Sequence, residues 1–286
     1  MRKEPIYYLN GKYVAKSKAV INVNDLGFLR SYGVFEFLLT YNNIPFYLET
    51  HLKRLENSAE TIGINLPYTN LDLKKIISKL LKLNKQFKEK YIHIIITGGQ
   101  SDDSITSNGK PTTLIMIGEQ INNSYNIVRK GIKVITEEHY RDNSSAKTND
   151  YLHAMKSLKI AKSKGATEVI YYNKRAGLVY EGSRSTMFIV KNRKVKTPNH
   201  DVLPGITANV VYTLLQSEVD INMEKITPQE LIEADEIFIT ATTKGVVPVI
   251  KIDDKLVGTG SVGELTKLAM KKFKQFTNNW DGKEIN

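Results

Sequence analysis

The chain of 286 residues contains no cysteine. That excludes disulfides, thiolate zinc sites, iron–sulfur clusters and cysteine nucleophiles, and it agrees with a reducing compartment. Glycine (18) and proline (8) are too sparse for a fibrous or low-complexity chain. No apolar run reaches the ~18 residues that a membrane-spanning helix needs. The opening MRKEPIYYLNGKYV lacks the apolar stretch of a secretory leader, so a cytoplasmic protein with no membrane partner is expected. Acidic residues are outnumbered, 30 against 41 Lys and Arg, for a net charge of +11. Such a balance suits nucleic acid, yet the basic residues are spread along the whole chain. The densest run, Lys271-Lys272-Phe273-Lys274, falls in a predicted terminal helix, and a lysine-rich solvated surface is the plainer reading.

What is present describes an ordinary globular chain, 41% hydrophobic and 25% charged, long enough for about two domains. The first part predicts strands Ile6–Leu9 and Lys12–Ala15 around the hairpin signal Asn10-Gly11, and a second hairpin, Val34–Tyr41 and Ile44–Leu48, around Asn42-Asn43. A helix follows over about Glu49–Ile62, with Leu52, Leu55, Ala59 and Ile62 on one stripe. Another runs from Asn70, taken as its N-cap, to about Phe87. Strands Tyr91–Thr97 and Thr112–Ile117 complete a small α+β domain over 1–118. A polar linker is expected over 119–127, and a larger domain over 128–286. That second part predicts strands at Lys133–Thr136, Glu168–Tyr172, Leu178–Tyr180, Met187–Val190, Lys194–Thr197, Glu236–Thr242 and Val247–Ile252. Helices are predicted over about Asp150–Ser163, from Ile206, after the capping box Thr227-Pro228-Gln229-Glu230, and over about Val262–Phe276.

Five features carry chemistry. Lys147, at a loop-to-helix entry, can act as an amine nucleophile if partial burial lowers its basicity. Glu181, in Glu181-Gly182-Ser183 between two strands, can hold a protonated ring nitrogen. Arg54, beside the apolar stripe of its helix, can clamp a phosphate. Leu203-Pro204-Gly205-Ile206-Thr207 opens a helix with free N–H groups and a hydroxyl, an anion site. Thr240-Ala241-Thr242-Thr243 adds hydroxyls at a strand end. Taken singly, each also reads as a solvated lysine, a polar turn, a core-covering arginine, a helix start or a β-turn. No metal site is expected.

In order, these features resemble the class IV (fold type IV) pyridoxal-phosphate aminotransferases. That group includes branched-chain and D-amino-acid aminotransferases and aminodeoxychorismate lyase. The resemblance runs from Tyr7 to about Phe276. It rests on His51–Leu55, Ala146-Lys147 with Tyr151-Leu152, Glu181-Gly182-Ser183, Leu203–Thr207, Ala234-Asp235-Glu236 with Phe238, and Thr242 with Pro248-Val249. It implies a two-domain fold with a mixed, barrel-like C-terminal sheet and helices. It implies a homodimer and pyridoxal 5'-phosphate joined to Lys147 as a Schiff base. By the same resemblance Glu181 meets the pyridine nitrogen. Arg54, the Ile206 amide, Thr207 and Thr242 hold the phosphate, Leu203 packs on the ring, and Tyr151 lies near the 3-oxygen. The implied reaction moves an amino group between a D-amino acid or a branched-chain L-amino acid and a 2-oxo acid such as 2-oxoglutarate or pyruvate.

Three positions depart from the family pattern: Asp150 for Asn, Thr186 for Asn and Ala208 for Arg. The two carboxylate-binding arginines of the group are replaced by His93 and Gly98. Arg30 is the hypothesised replacement grip, and Phe35 and Thr243 join His93 as substrate candidates. Thr240–Thr243, Glu264 and the hairpin Ile250–Leu256 lean toward the D-amino-acid subgroup. A lyase of the aminodeoxychorismate type and a basic nucleic-acid-binding protein are the alternative readings.

Overall fold

A computed structural model describes residues 4–120 and 130–285. From residue 121 onward the expected linker, with the start of the expected second domain at 128 and 129, lies outside the described residues. The chain divides into two compact units. The first comprises 4–120 with 146–151 and 280–283; the second comprises 130–145, 152–279 and 284–285.

The first unit is built on strands β1 (Ile6–Leu9), β2 (Lys12–Ala15), β3 (Gly33–Tyr41), β4 (Ile44–Pro45), β5 (Lys90–Thr97) and β6 (Thr112–Glu119). They pair in the order β2-β1-β6-β5-β3-β4, every neighbour antiparallel. Both expected hairpin turns place their two central residues in the left-handed region: Asn10 and Gly11 at φ 43° and 89°, Asn42 and Asn43 at 55° and 62°. That twist matches the twist of the flanking strands. The strand expected over Ile44–Leu48 stops at Pro45. Tyr47 turns left-handed at φ 52°, and a helix opens at Leu48 instead.

Helices α1 (Leu26–Arg30), α2 (Leu48–Thr61) and α3 (Asn70–Leu83) complete the unit. The short α1 went unpredicted; the Asp25 carboxylate caps it by accepting from the Gly27 N–H at 2.8 Å. The N-cap of α3 is Thr69 rather than Asn70, because Thr69 and Asp72 form a reciprocal capping box. The helix ends before Phe87 because Asn84 turns its amide to both backbone groups of Ile6. Val34, Leu38, Ile92, Ile94, Ile96, Ile115 and Ile117 project from one sheet face into a core shared with Leu52, Leu55 and Ala59 of α2 and Leu73, Ile77 and Leu80 of α3.

The second unit holds β7 (Ile132–Glu138), β8 (Glu168–Asn173), β9 (Leu178–Gly182), β10 (Thr186–Lys191), β11 (Lys194–Thr197), β12 (Ile221–Met223), β13 (Glu236–Ala241), β14 (Gly245–Ile252) and β15 (Lys255–Leu256). Its nine-stranded mixed sheet runs β12-β11-β10-β13-β14-β7-β8-β9, with β15 added to β14. The sheet curls into a half-barrel, in keeping with the mixed, barrel-like sheet that the resemblance implied. Helices α4 (Leu152–Ser163), α5 (Ile206–Leu215), α6 (Pro228–Ile232) and α7 (Glu264–Asn278) accompany it. The capping box at Thr227 forms as read, with Pro228 in the first turn. Among the described residues no helix is long and apolar enough to cross a membrane.

Candidate active site

Strand alternation gives β3 two chemical faces. Val34, Glu36 and Leu38 point toward α2, and Phe35 and Phe37 point the other way. On that second face lies an aromatic cluster. Phe35 meets His93 at 5.5 Å and Tyr151 at 5.6 Å between ring centroids, and Phe37 stacks on Tyr91 at 5.4 Å. Lys147 joins this face, its Nζ 4.5 Å from the Phe35 ring centroid.

The segment that carries Lys147 is laid along the edge of β3. Thr148 forms an isolated antiparallel bridge with Val34, the Phe35 N–H donates to the Lys147 carbonyl (3.0 Å), and the Asn149 N–H donates to the Gly33 carbonyl (2.8 Å). Gly33 is required there, because a Cβ would lie 2.6 Å from the Asn149 side-chain nitrogen and 2.9 Å from the Ile96 carbonyl oxygen. This docking explains why α4 starts at Leu152 rather than Asp150.

Arg54 does not stand alone on α2. Its Nε and Nη2 engage the two Glu36 oxygens at 2.7 and 2.8 Å, and the Nδ1–H of His51 donates to the same carboxylate at 2.6 Å. Glu36 is 0% exposed. Burial pushes its carboxyl up, but the Arg54 charge and the bonds from Arg54 and His51 outweigh that and hold it at about 2. Burial pushes His51 down, only partly opposed by Glu36. His93 is pushed down to about 4, first by burial and then by the nearby Lys147 charge. Both imidazoles are therefore neutral at pH 7.

In the second unit Glu181 is buried near the end of β9. One oxygen accepts from Arg141 Nη1 at 2.5 Å and the other from the Leu203 N–H at 3.2 Å. The turn that follows is tight, and a Cβ on Gly182 would sit 2.0 Å from Ser185 Oγ. Its Ser183 hydroxyl donates to the buried Glu168. Gly205 is the N-cap of α5 and brings no capping side chain, so the first N–H groups keep their pull on anions, with Ile206 and Thr207 buried beside them. Thr186 Oγ1 lies against Gly205, and Thr186 pairs with Thr240 across β10 and β13. Thr242 is half-buried in the next turn and Thr243 is exposed.

The structure gathers Lys147, Phe35, His93 and Tyr151 on one face of the first unit and places Arg54 on the helix beneath. In the second unit it joins Leu203 to Glu181. Arg30 stands apart, exposed, with its Nη1 donating to the carbonyl of the preceding Leu29. Glu36, His51, Ser58 and Arg141 escaped sequence reasoning as functional candidates. The signal for the first three was available: an acidic residue at a core-facing strand position, and polar residues at three- and four-residue spacing within an apolar helical stripe. Arg141 gave none, since only the fold brings it to Glu181.

Comparison with known proteins accords with this geometry. The family model of amino-transferase class IV matches residues 33–252. A Methanocaldococcus jannaschii protein that carries the provisional name branched-chain-amino-acid aminotransferase is 33% identical, over 96% of each chain. The D-alanine aminotransferase of Bacillus licheniformis is 31% identical over 90% of this chain and 92% of its own. The fold is similar to that of the T.th. branched-chain amino acid aminotransferase complexed with N-(5'-phosphopyridoxyl)-L-glutamate. That likeness has a TM-score of 0.87, at 24% identity and with 96% and 95% of the two chains covered. The chain belongs to the class IV aminotransferases.

Proposed function

We propose that the protein is a pyridoxal-phosphate-dependent transaminase exchanging an amino group between an amino acid and a 2-oxo acid. The observation that carries this reading is the setting of Lys147: an amine on an aromatic face, on a backbone fixed at both sides. The donor set fits the cofactor. Thr240 Oγ1 and Ser185 Oγ are buried with no hydrogen-bond partner among the described residues, next to Thr186, which borders the uncapped start of α5. When bound, the cofactor supplies an electrophilic carbon and a ring that withdraws electrons from the amino acid α-carbon.

The chain's own residues do the rest. Lys147 Nζ anchors the cofactor and then carries the proton to and from the α-carbon. Glu181, fixed by Arg141 and Leu203, keeps a proton on the ring nitrogen. Arg54, the Ile206 N–H, Thr207 and Thr242 grip the phosphate, Leu203 packs on the ring, and Tyr151 attends the 3-oxygen. The aromatic face of Phe35, Phe37 and Tyr91 suits an apolar substrate side chain. Neutral His93 offers a hydrogen bond rather than a charge, Arg30 is the charged candidate for the substrate carboxylate, and Thr243 is a further substrate contact. Branched-chain L-amino acids and D-amino acids are the substrate classes, in keeping with the names its relatives carry. The chain works as a cytoplasmic homodimer; Phe28, 75% exposed, and Val23 offer apolar surface for the second copy.

Borohydride reduction followed by peptide mass spectrometry tests the reading. The cofactor carbon is expected on Lys147, and Lys147→Met is expected to abolish both the adduct and turnover. An adduct elsewhere, or an active methionine variant, refutes it. Chiral analysis of the product then separates D from L donors.

A further inference from the structure

Three polar side chains interrupt the buried stripe of α2: His51, Arg54 and Ser58, at positions i, i+3 and i+7. Glu36 accounts for the first two. Ser58 is 0% exposed and is bonded twice. Its O–H donates to the Arg54 carbonyl at 2.7 Å, and its Oγ accepts from the Lys147 N–H at 3.0 Å, across 89 positions of sequence.

The first bond is a common habit of serine within a helix and needs no function. It nevertheless fixes the second, because with the hydroxyl proton committed to the carbonyl, the oxygen presents only a lone pair, and a lone pair selects an N–H. The Lys147 carbonyl is meanwhile taken by the Phe35 N–H. The peptide groups on both sides of the Lys147 α-carbon are thus pinned, one to a helix and one to a strand, and the side chain leaves in one direction, over Phe35. The pin on the helix side is one turn from Arg54.

We propose that Ser58 is a positioning residue: it fixes the backbone of Lys147, hence the reach of its amine, relative to the helix that presents Arg54. The proposal rests on the reading of Lys147 as the covalent anchor. It predicts that the hydroxyl, and not merely the volume, matters at position 58.

The test uses the full chain with Ser58→Ala and Ser58→Thr. In cofactor-free protein, hydrogen exchange of the peptide spanning 146–149 is expected about tenfold faster in Ser58→Ala and near wild type in Ser58→Thr, with the amides of α2 unchanged. Capture of pyridoxal phosphate on Lys147, fixed by borohydride at timed intervals and quantified by mass spectrometry, is expected about tenfold slower in Ser58→Ala, with the threonine variant rescuing. Wild-type exchange and capture in Ser58→Ala overturn the proposal, and so does a loss only in proportion to the unfolded fraction measured in urea. If the alanine variant does not fold, Ser58→Cys, similar in size but a weak acceptor, takes its place with the same outcomes. Capture that persists in Lys147→Met overturns the underlying reading and this proposal together. Capture that needs Lys147 but ignores Ser58 overturns this proposal alone.

Discussion

Glu36 and Glu181 are both buried carboxylates facing an arginine, but breaking the two pairs has different consequences. Glu36 faces Arg54 and His51 inside a folded unit. Glu36→Gln takes from the buried Arg54 the carboxylate that meets it at two points, and breaking a pair of this kind costs about 3–5 kcal/mol. Urea denaturation at pH 7 is expected to show that loss. The carboxyl sits at about 2 when folded and near 4.5 when free, so the unfolded chain takes up its proton first. The Glu36 contribution is complete above pH 4.5 and disappears toward pH 2, and over that range the gap between wild type and Glu36→Gln should close. Arg141→Gln weakens the fold as well, and it also reaches the chemistry proposed for Glu181. Glu181 would lose a charge-assisted hydrogen bond of about 1.5–3 kcal/mol, and kcat/KM for transamination is expected to fall roughly 10- to 100-fold. Unchanged steady-state kinetics would deny Arg141 any part in holding Glu181.

Elements differ in how plainly their residues announce them. The stripes of α2 and α3 and the Asn-rich hairpin turns were legible because their causes are local: periodicity, caps and the left-handed tolerance of asparagine. Thr69→Ala, which removes the actual cap of α3, should cost about 1 kcal/mol in urea denaturation. Strand β4 was misjudged because Tyr47 turns the chain into a helix within two residues of Pro45. The start of α4 was misjudged because its expected first turn is docked on β3 instead, a tertiary demand that propensity does not contain. The candidate site was legible to the same degree. Lys147, Arg54 and Glu181 stood out by family resemblance, whereas their partners Glu36, Ser58 and Arg141 are defined by long-range contact. Gly33→Ala tests the docking of residues 146–149. With a Cβ placed 2.6 Å from the Asn149 side chain, overpacking should cost about 1–3 kcal/mol. Labelling of Lys147 by the cofactor should fall more than the stability loss alone explains.

At the scale of the molecule, acidity is the condition to which this protein should respond. Burial depresses His51, His93 and His139, with His93 at about 4, against about 6.5 for an ordinary histidine. Between those values the unfolded chain binds protons that the folded chain refuses. Stability is therefore greatest above pH 6.5 and declines as pH falls toward 4. Urea midpoints taken across that range should trace the decline, and His93→Gln should flatten it by up to one proton's worth of slope. The two-unit organisation has a kinetic corollary. The edge of β3 at Val34–Phe35 finds its partner in residues that leave the ribosome more than a hundred positions later. The nascent first unit must wait with that rim unmatched, and Lys147 is fitted against it as a late event of assembly.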